Sequence, residues 1–382
     1  MPDIHLPVGT SSVNRLINCP ASLSRSKLAP KGNTSKAAEN GTRLHTVMEN
    51  IYEHDMTPEE QLGSEGDNGI VFTETMLEDE VQPAIAATEK LLDMVDADEL
   101  VNEQFVQYEE GLVGGTLDMI AVSADQTTIL FNDFKFGFNA VHPKNNSQIL
   151  LAALAASVDP ETKHLFEKAE KFIGAITQPK VYGEESPTWE FTHVELIDFE
   201  AKLQTALDLS EGENPPAKTG SHCMYCPAAP FCDEKKLLAR SSLLLSPAQA
   251  DDLVKGLAVA DELEAWLKEI RKTAHDLLEK GAVVDGWKLV QKRASRVWVN
   301  KEEVEDQIRK AKTIKLEDGF EMKLKSPAQM EKVCKTIGYS FKKFEGNIAS
   351  ISSGTTLAIE SDKRPAVGRA VISEDVKNFI NN

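Results

Sequence analysis

The apolar run Ile129-Leu130-Phe131 leads through Asn132 into Asp133, Phe134 and Lys135, which places a carboxylate and an ammonium two positions apart at the end of a buried-looking strand. On a strand, side chains two apart leave the same face. Asp133 and Lys135 therefore project together, while Phe134 turns the opposite way into a core. Alternation and turn residues place two more strands upstream, over 102–110 and 112–123, the second separated from this one by the turn at 124–127. Downstream, a helix is predicted over 146–157, strands over 171–182 and 188–196, and a helix from about 197 to 209.

The flanks read as helical. Apolar residues at 44, 47, 48, 51 and 52 share one face of a helix over 35–54. A second amphipathic stretch covers 73–96, with Pro83 as a kink or restart, and the Gly- and Asp-rich 63–69 between them is a loop. Ser11 or Ser12 caps a short helix or turn that Pro20 stops at Cys19. Beyond an irregular Pro/Gly-rich segment at 211–232, a long helix is expected over 246–280 and a hairpin over 286–299.

With 382 residues, 41% hydrophobic and 27% charged, the chain is globular in composition and long enough for two or three domains. No apolar run approaches the roughly 20 residues of a membrane helix, and the first residues lack a basic-then-apolar signal pattern. The expectation is a cytoplasmic protein with no membrane partner.

Asp118 sits amid Leu117, Met119 and Ile120, where an uncompensated carboxylate is costly. If its strand pairs with the next as a hairpin, Asp118 and Asp133 converge on one hard cation, which prefers oxygen ligands. A cation that clamps a phosphate, beside a lysine that orients water and stabilises charge on phosphoryl oxygens, suits phosphodiester hydrolysis. Alone, an Asp-x-Lys is ordinarily a surface ion pair, and a histidine such as His45, one turn before Glu49, a helix-surface residue. Gln148 opens the helix that follows the strand, within reach of the same site.

Taken in order, Gly41-Thr42-Arg43-Leu44-His45, Gly115-Thr116-Leu117-Asp118, Asp133-Phe134-Lys135 and Gln148 resemble the four motifs of the RecB-like branch of the PD-(D/E)XK nuclease superfamily. The resemblance covers residues 12 to about 235. It implies an α/β fold: a restriction-endonuclease-like core with a mixed central sheet flanked by helices, followed by a smaller α+β C-terminal region. It also implies Mg²⁺ or Mn²⁺ held by His45, Asp118, Asp133 and the carbonyl of Phe134, with Asp118, Asp133, Lys135 and Gln148 catalytic. The implied activity is that of a DNA exonuclease, or a nuclease acting at linear ends or on single strands. One position departs from the pattern: where the family carries tyrosine four residues after the glutamine, this chain has Ala152. That puts a stacking or phosphate contact in question, not the metal chemistry.

The five cysteines are Cys19, Cys223, Cys226, Cys232 and Cys334. Three of them, spaced x2 and x5 on one loop, favour metal ligation over disulfides in a reducing compartment. Cys19 is the expected fourth ligand, with His222 as a substitute, and Cys334 reads as a structural thiol at a helical core spacing. The spacing alone leaves a four-cysteine zinc site open. One cysteine before the nuclease motifs and three after them also resemble the iron–sulfur staple of AddB-type nucleases and CRISPR-associated RecB-like exonucleases, which implies a 4Fe–4S cluster on Cys19, Cys223, Cys226 and Cys232.

Charge divides unevenly. Of 42 Lys+Arg and 61 Asp+Glu, residues 1–234 carry 15 and 39, and residues 235–382 carry 27 and 22, giving balances of −24 and +5. The domains expected are 1–235, the nuclease domain closed by the cysteine site, and 236–382, a DNA- or partner-binding region. DNA contacts are expected at Lys292, Arg293 and Arg296, although such residues also balance neighbouring acids. The later part of the chain resembles an uncharacterised phage and prophage family, which implies work on phage DNA in a bacterial cytoplasm beside a recombination or single-strand-binding protein. The competing reading is a non-catalytic DNA-processing partner that keeps the fold for binding or assembly.

Overall fold

The structure is a computed structural model that describes residues 6–29, 36–245 and 249–288, with positions 330, 334, 335 and 340–342 beyond them. The chain divides into two compact units, Met1–Trp287 and Lys288–Asn382. Most of the second unit lies outside the described residues, as do Lys292, Arg293, Arg296 and most of the expected 286–299 hairpin.

The first unit is built on strands β1 (Val8–Gly9), β2 (Ala97–Glu109), β3 (Val113–Ser123), β4 (Thr128–Phe134), β5 (Lys171–Thr177) and β6 (Thr188–Phe191). Strands β2, β3 and β4 form an antiparallel meander. β5 pairs parallel to β4, β6 antiparallel to β5, and the short β1 parallel to the start of β3. The helices are α1 (Val13–Asn18), α2 (Ser22–Leu28), α3 (Lys36–Glu53), α4 (Glu74–Met76), α5 (Gln82–Val95), α6 (Ser147–Val158), α7 (Pro179–Tyr182), α8 (His193–Glu211), α9 (Asp233–Ser242) and α10 (Ala250–Glu279). The expected mixed central sheet flanked by helices is present.

Helix α6 connects β4 to the parallel β5. Ile149 through Ala156 are all buried, so the helix is apolar around its circumference and lies inside the molecule. It shares a core with Val13 and Leu16 of α1, Leu203 and Leu207 of α8, and Phe131 and Phe172 of the sheet. Elsewhere Leu44, Val47 and Met48 of α3 pack with Met119, Phe134 and Phe136, while Leu91 and Val95 of α5 pack with Ala121, Leu130 and Ile173. Phe134 thus points into a core, as the alternation predicts. Cys334 is also buried.

Two segments differ from the sequence expectation. The strand predicted over 171–182 ends at Thr177, because Pro179 removes a ladder donor and starts the single turn α7, which Gly183 ends at φ 64°. The strand predicted over 188–196 ends at Phe191. There Thr192 and Glu195 form a capping box, Thr192 N–H donating to Glu195 Oε2 at 2.8 Å, and α8 begins four residues earlier than expected. At Pro83 the restart is present, preceded by a π-helical segment at Leu77–Val81 where the ring cannot continue the i→i−4 ladder.

Candidate active site

The β3–β4 register pairs Met119 with Asn132, which sets Asp118 opposite Asp133. This is the convergence a hairpin predicts. Gly114 and Gly115 let the chain reach that position: a side chain at Gly114 would strike the Val106 carbonyl oxygen, and Gly115 adopts φ 159° against Thr10. Asp118 Oδ2 then accepts a 2.6 Å hydrogen bond from the Phe134 N–H, and Oδ1 lies 3.4 Å from His45 Nδ1. The His45 ring meets Phe136 edge-on at 5.5 Å.

Asp133 is held from two other sides. Gln148 Nε2 donates to Oδ1 at 2.6 Å, and Lys135 Nζ forms an ion pair with Oδ2. Gln148 is positioned by the start of α6, where Asn146 Oδ1 accepts its backbone N–H at 2.9 Å. Lys135 Nζ also lies 3.5 Å from the Phe134 carbonyl oxygen. All five side chains singled out in the sequence therefore meet at the paired ends of β3 and β4.

Burial pushes the Asp118 carboxyl up, but His45, Lys135 and the Phe134 N–H outweigh it and hold the group below the usual carboxylate range. Asp133 goes the other way, since burial and the facing Asp118 outweigh Lys135. Burial lowers His45, yet Asp118 prevails and raises it.

Sequence reasoning missed Glu103. It lies on β2 between Asn102, paired with Met119, and Gln104, paired with Leu117, which puts it opposite Asp118. Its φ of 43° is the left-handed region, unusual for a non-glycine residue inside a strand. Burial first, then Asp118, pushes its pKa up to about 8, partly offset by His45. Ligand atoms of His45, Glu103 and Asp118 all lie within 4.8 Å of one another. Asp133 is not in that group; its two oxygens are engaged by Gln148 and Lys135. The signal was weak, because "NEQFVQYEE" holds five acids or amides besides Glu103 and a positive φ is invisible in sequence.

Ala152 lines a recess with Asp118, Asp133 and Gln148, closed on another side by Thr10 of the N-terminal segment. A methyl group thus stands where a tyrosine ring is expected.

The cysteines form a second site. Cys19, Cys223, Cys226 and Cys232 line one cavity with His222, Arg15 and Arg25. The N-terminal segment is tied to the loop by Ala21 N–H to the Pro216 carbonyl (3.0 Å), Arg15 Nη1 to the Tyr225 carbonyl (3.0 Å) and Arg25 Nη1 to Cys232 Sγ (3.3 Å). Hydrogen bonds that the imidazole donates to Cys19 and Cys223 push His222 up to about 10. Burial raises the Cys19 thiol, but hydrogen bonds from His222 and from the Lys218 backbone bring it below its usual value. Among the described residues, no three of these sulfurs lie within 4.8 Å of one another.

No helix among the described residues is long and apolar enough to cross a membrane. Among solved structures, a crystal structure of LHK-Exo in complex with dAMP is similar at 9% identity and a TM-score of 0.26, over 63% of this chain and 94% of that one. The crystal structure of SSO0001 is similar at 11% identity and a TM-score of 0.25, over 60% of this chain and 86% of that one. Both likenesses are remote. The family model described as "Protein of unknown function (DUF2800)" matches residues 5–365, nearly the whole length, and the chain belongs to that family.

Proposed function

We propose that the protein is a metal-dependent DNA nuclease, an exonuclease or an enzyme acting at linear ends and on single strands. The observation that carries this reading is the meeting of His45, Glu103, Asp118, Asp133, Lys135 and Gln148, drawn from α3, β2, β3, β4 and α6, in one half-buried cluster. Nitrogen and oxygen donors of this kind suit Mg²⁺ or Mn²⁺. His45, Asp118 and Glu103 would hold the ion, with Asp133 and the Phe134 carbonyl completing the set. Such an ion supplies positive charge to a scissile phosphate.

The remaining work belongs to the chain. Lys135 pairs with Asp133 and presents its ammonium where charge gathers on the phosphoryl oxygens. Gln148 fixes the Asp133 carboxylate in rotation, and the Phe134 N–H does the same for Asp118. In this reading residues 1–235 carry the chemistry and residues 236–382 hold DNA or a partner, Lys292, Arg293 and Arg296 among them.

The cysteine cavity would hold a 4Fe–4S cluster as a structural staple. The order of the four cysteines, one before the candidate nuclease residues and three after them, supports that choice. A phage or prophage setting rests on the family resemblance of the C-terminal region.

The test is incubation of the pure protein with labelled linear and circular DNA in Mg²⁺, Mn²⁺ or chelator. Cleavage of linear DNA that chelator stops is expected. Metal-independent cleavage, or none with either ion, rejects the reading.

A further inference from the structure

We propose that Phe138 and Tyr225 form an aromatic platform that stacks the unpaired bases of a single strand beside the candidate active site. The proposal deepens the nuclease reading and rests on it.

Phe138 is three residues past Lys135, so the two Cα atoms lie within about 11 Å of each other. It is 80% exposed. An exposed phenylalanine on a loop is ordinary, but this loop is fixed. The Gln178 side chain, 1% exposed, donates Nε2 to the carbonyls of both Gly137 and Asn139 at 2.8 Å, and its Oε1 accepts the Val141 N–H at 3.0 Å. Tyr182 Oη adds a 2.9 Å bond to the Val141 carbonyl. Gln178 follows Thr177, whose carbonyl accepts the Lys135 N–H at 2.9 Å. The residue pair that clamps the loop is thus tied to the strand that carries Lys135. The chain uses a buried polar side chain to hold an apolar ring out in water, and no core contact accounts for it.

Tyr225 supplies the second ring. It is 73% exposed, lies between Cys223 and Cys226, and its hydroxyl accepts a 3.1 Å hydrogen bond from Asn139 Nδ2, the residue next to Phe138. The cysteine loop therefore reaches the active-site loop through this contact.

Three cations lie near the pair, of which Lys180 also pairs with Glu80 at 2.9 Å. Lys180 Nζ lies 4.9 Å from the Phe138 ring centroid, Lys144 is exposed on the same loop, and Arg15 holds the Tyr225 carbonyl. Aromatic faces for bases with cations for phosphates are the elements of single-strand binding. A duplex keeps its base faces stacked within itself, which leaves nothing for these rings to take. A protein partner is the other occupant such rings could serve, but the closeness to Lys135 favours the substrate strand.

The experiment measures binding of a labelled oligo(dT) by anisotropy, with Ca²⁺ in place of Mg²⁺, alongside a blunt duplex of equal length. Phe138→Ala and Tyr225→Ala should each weaken single-strand binding by about 5- to 100-fold and change duplex binding less than about twofold. Phe138→Trp should restore affinity and add a tryptophan signal that the oligonucleotide quenches. Unchanged single-strand affinity in both alanine variants overturns the proposal, as does an equal loss for duplex, or oligo(dT) failing to bind the wild type. Cleavage by the wild type is scored separately. Intact metal-dependent cleavage with unaffected binding in the variants rejects the platform alone, and absent cleavage rejects the nuclease reading.

Discussion

At the residue scale, the acid–lysine pair has a clear test. Asp133→Ala and Lys135→Ala should each lower cleavage by at least about 10²-fold while leaving the unfolding midpoint close to wild type, since neither fills core volume. Lys135→Ala should still bind Mn²⁺, measured by calorimetry, and full activity in either variant would sink the assignment. Glu103 yields a prediction about pH. Its folded pKa is about 8 against an ordinary 4.5, so between those values the unfolded chain has released a proton that the metal-free fold retains. The metal-free protein should therefore lose stability as pH rises from about 5 to 8, and Glu103→Gln should flatten that fall in thermal melts. A slope unchanged by the substitution would show that Glu103 is not its source. His45, Asp118, Asp133, Lys135 and Gln148 were legible because each occurs within a short motif whose spacing repeats a known pattern. Glu103 was not, because its place is set by cross-strand register and a left-handed φ. Phe138 and Tyr225 escaped for a related reason, since a side chain held outward by a distant glutamine leaves no periodic trace.

At the element scale, the strands that carry the site follow from alternation, and the helices that border it follow from 3.6-residue spacing. The misreadings at 178–182 and 192–196 arise where capping chemistry overrides β-branched and aromatic composition: Pro179 and the Thr192–Glu195 box each start a helix that local propensity disfavours. Helix α3 carries a subtler signal. Gly41 lies one turn before His45, and a methyl added there would meet nothing within 4 Å. Glycine inside a helix costs about 1 kcal/mol relative to alanine, and no packing within the described chain requires it. The vacancy beside His45 fits room for a substrate strand. Gly41→Ala should accordingly stabilise the protein by about 0.5–1 kcal/mol in denaturant melts and leave metal binding unchanged. Gly41→Leu should raise KM for DNA severalfold. Wild-type kinetics in Gly41→Leu would mean that the space is not used.

At the scale of the whole molecule, the acidic balance of −24 over residues 1–234 opposes long-range attraction of DNA, so local cations and ring stacking must do what net charge does not. In the proposed reading the cysteine site staples that same region. Cys19 and Cys223 stand 204 positions apart, and the segment between them contains every strand among the described residues but β1. On the chain-entropy account, closing a loop of that length stabilises the fold by about 5 kcal/mol. The closure extends further, because α10 is latched to the cysteine loop: Trp266 Nε1 donates to the Ala229 carbonyl at 2.9 Å, and the buried Lys235 pairs with Glu262. Loss of the bound group should therefore loosen α10 together with the N-terminal segment, while the β3–β4 hairpin, built from its own ladder, keeps its register. Protein purified without oxygen should contain about four iron and four sulfide per chain, whereas stoichiometric zinc would replace the cluster with a single ion. Cys19→Ser should lower the unfolding midpoint by on the order of 10 °C and raise amide exchange in α1 and α10. Lys135→Ala should do neither. If Cys19→Ser melts like the wild type, the four thiols share a cavity without sharing a load, and the acidic domain must be held closed by its apolar core alone.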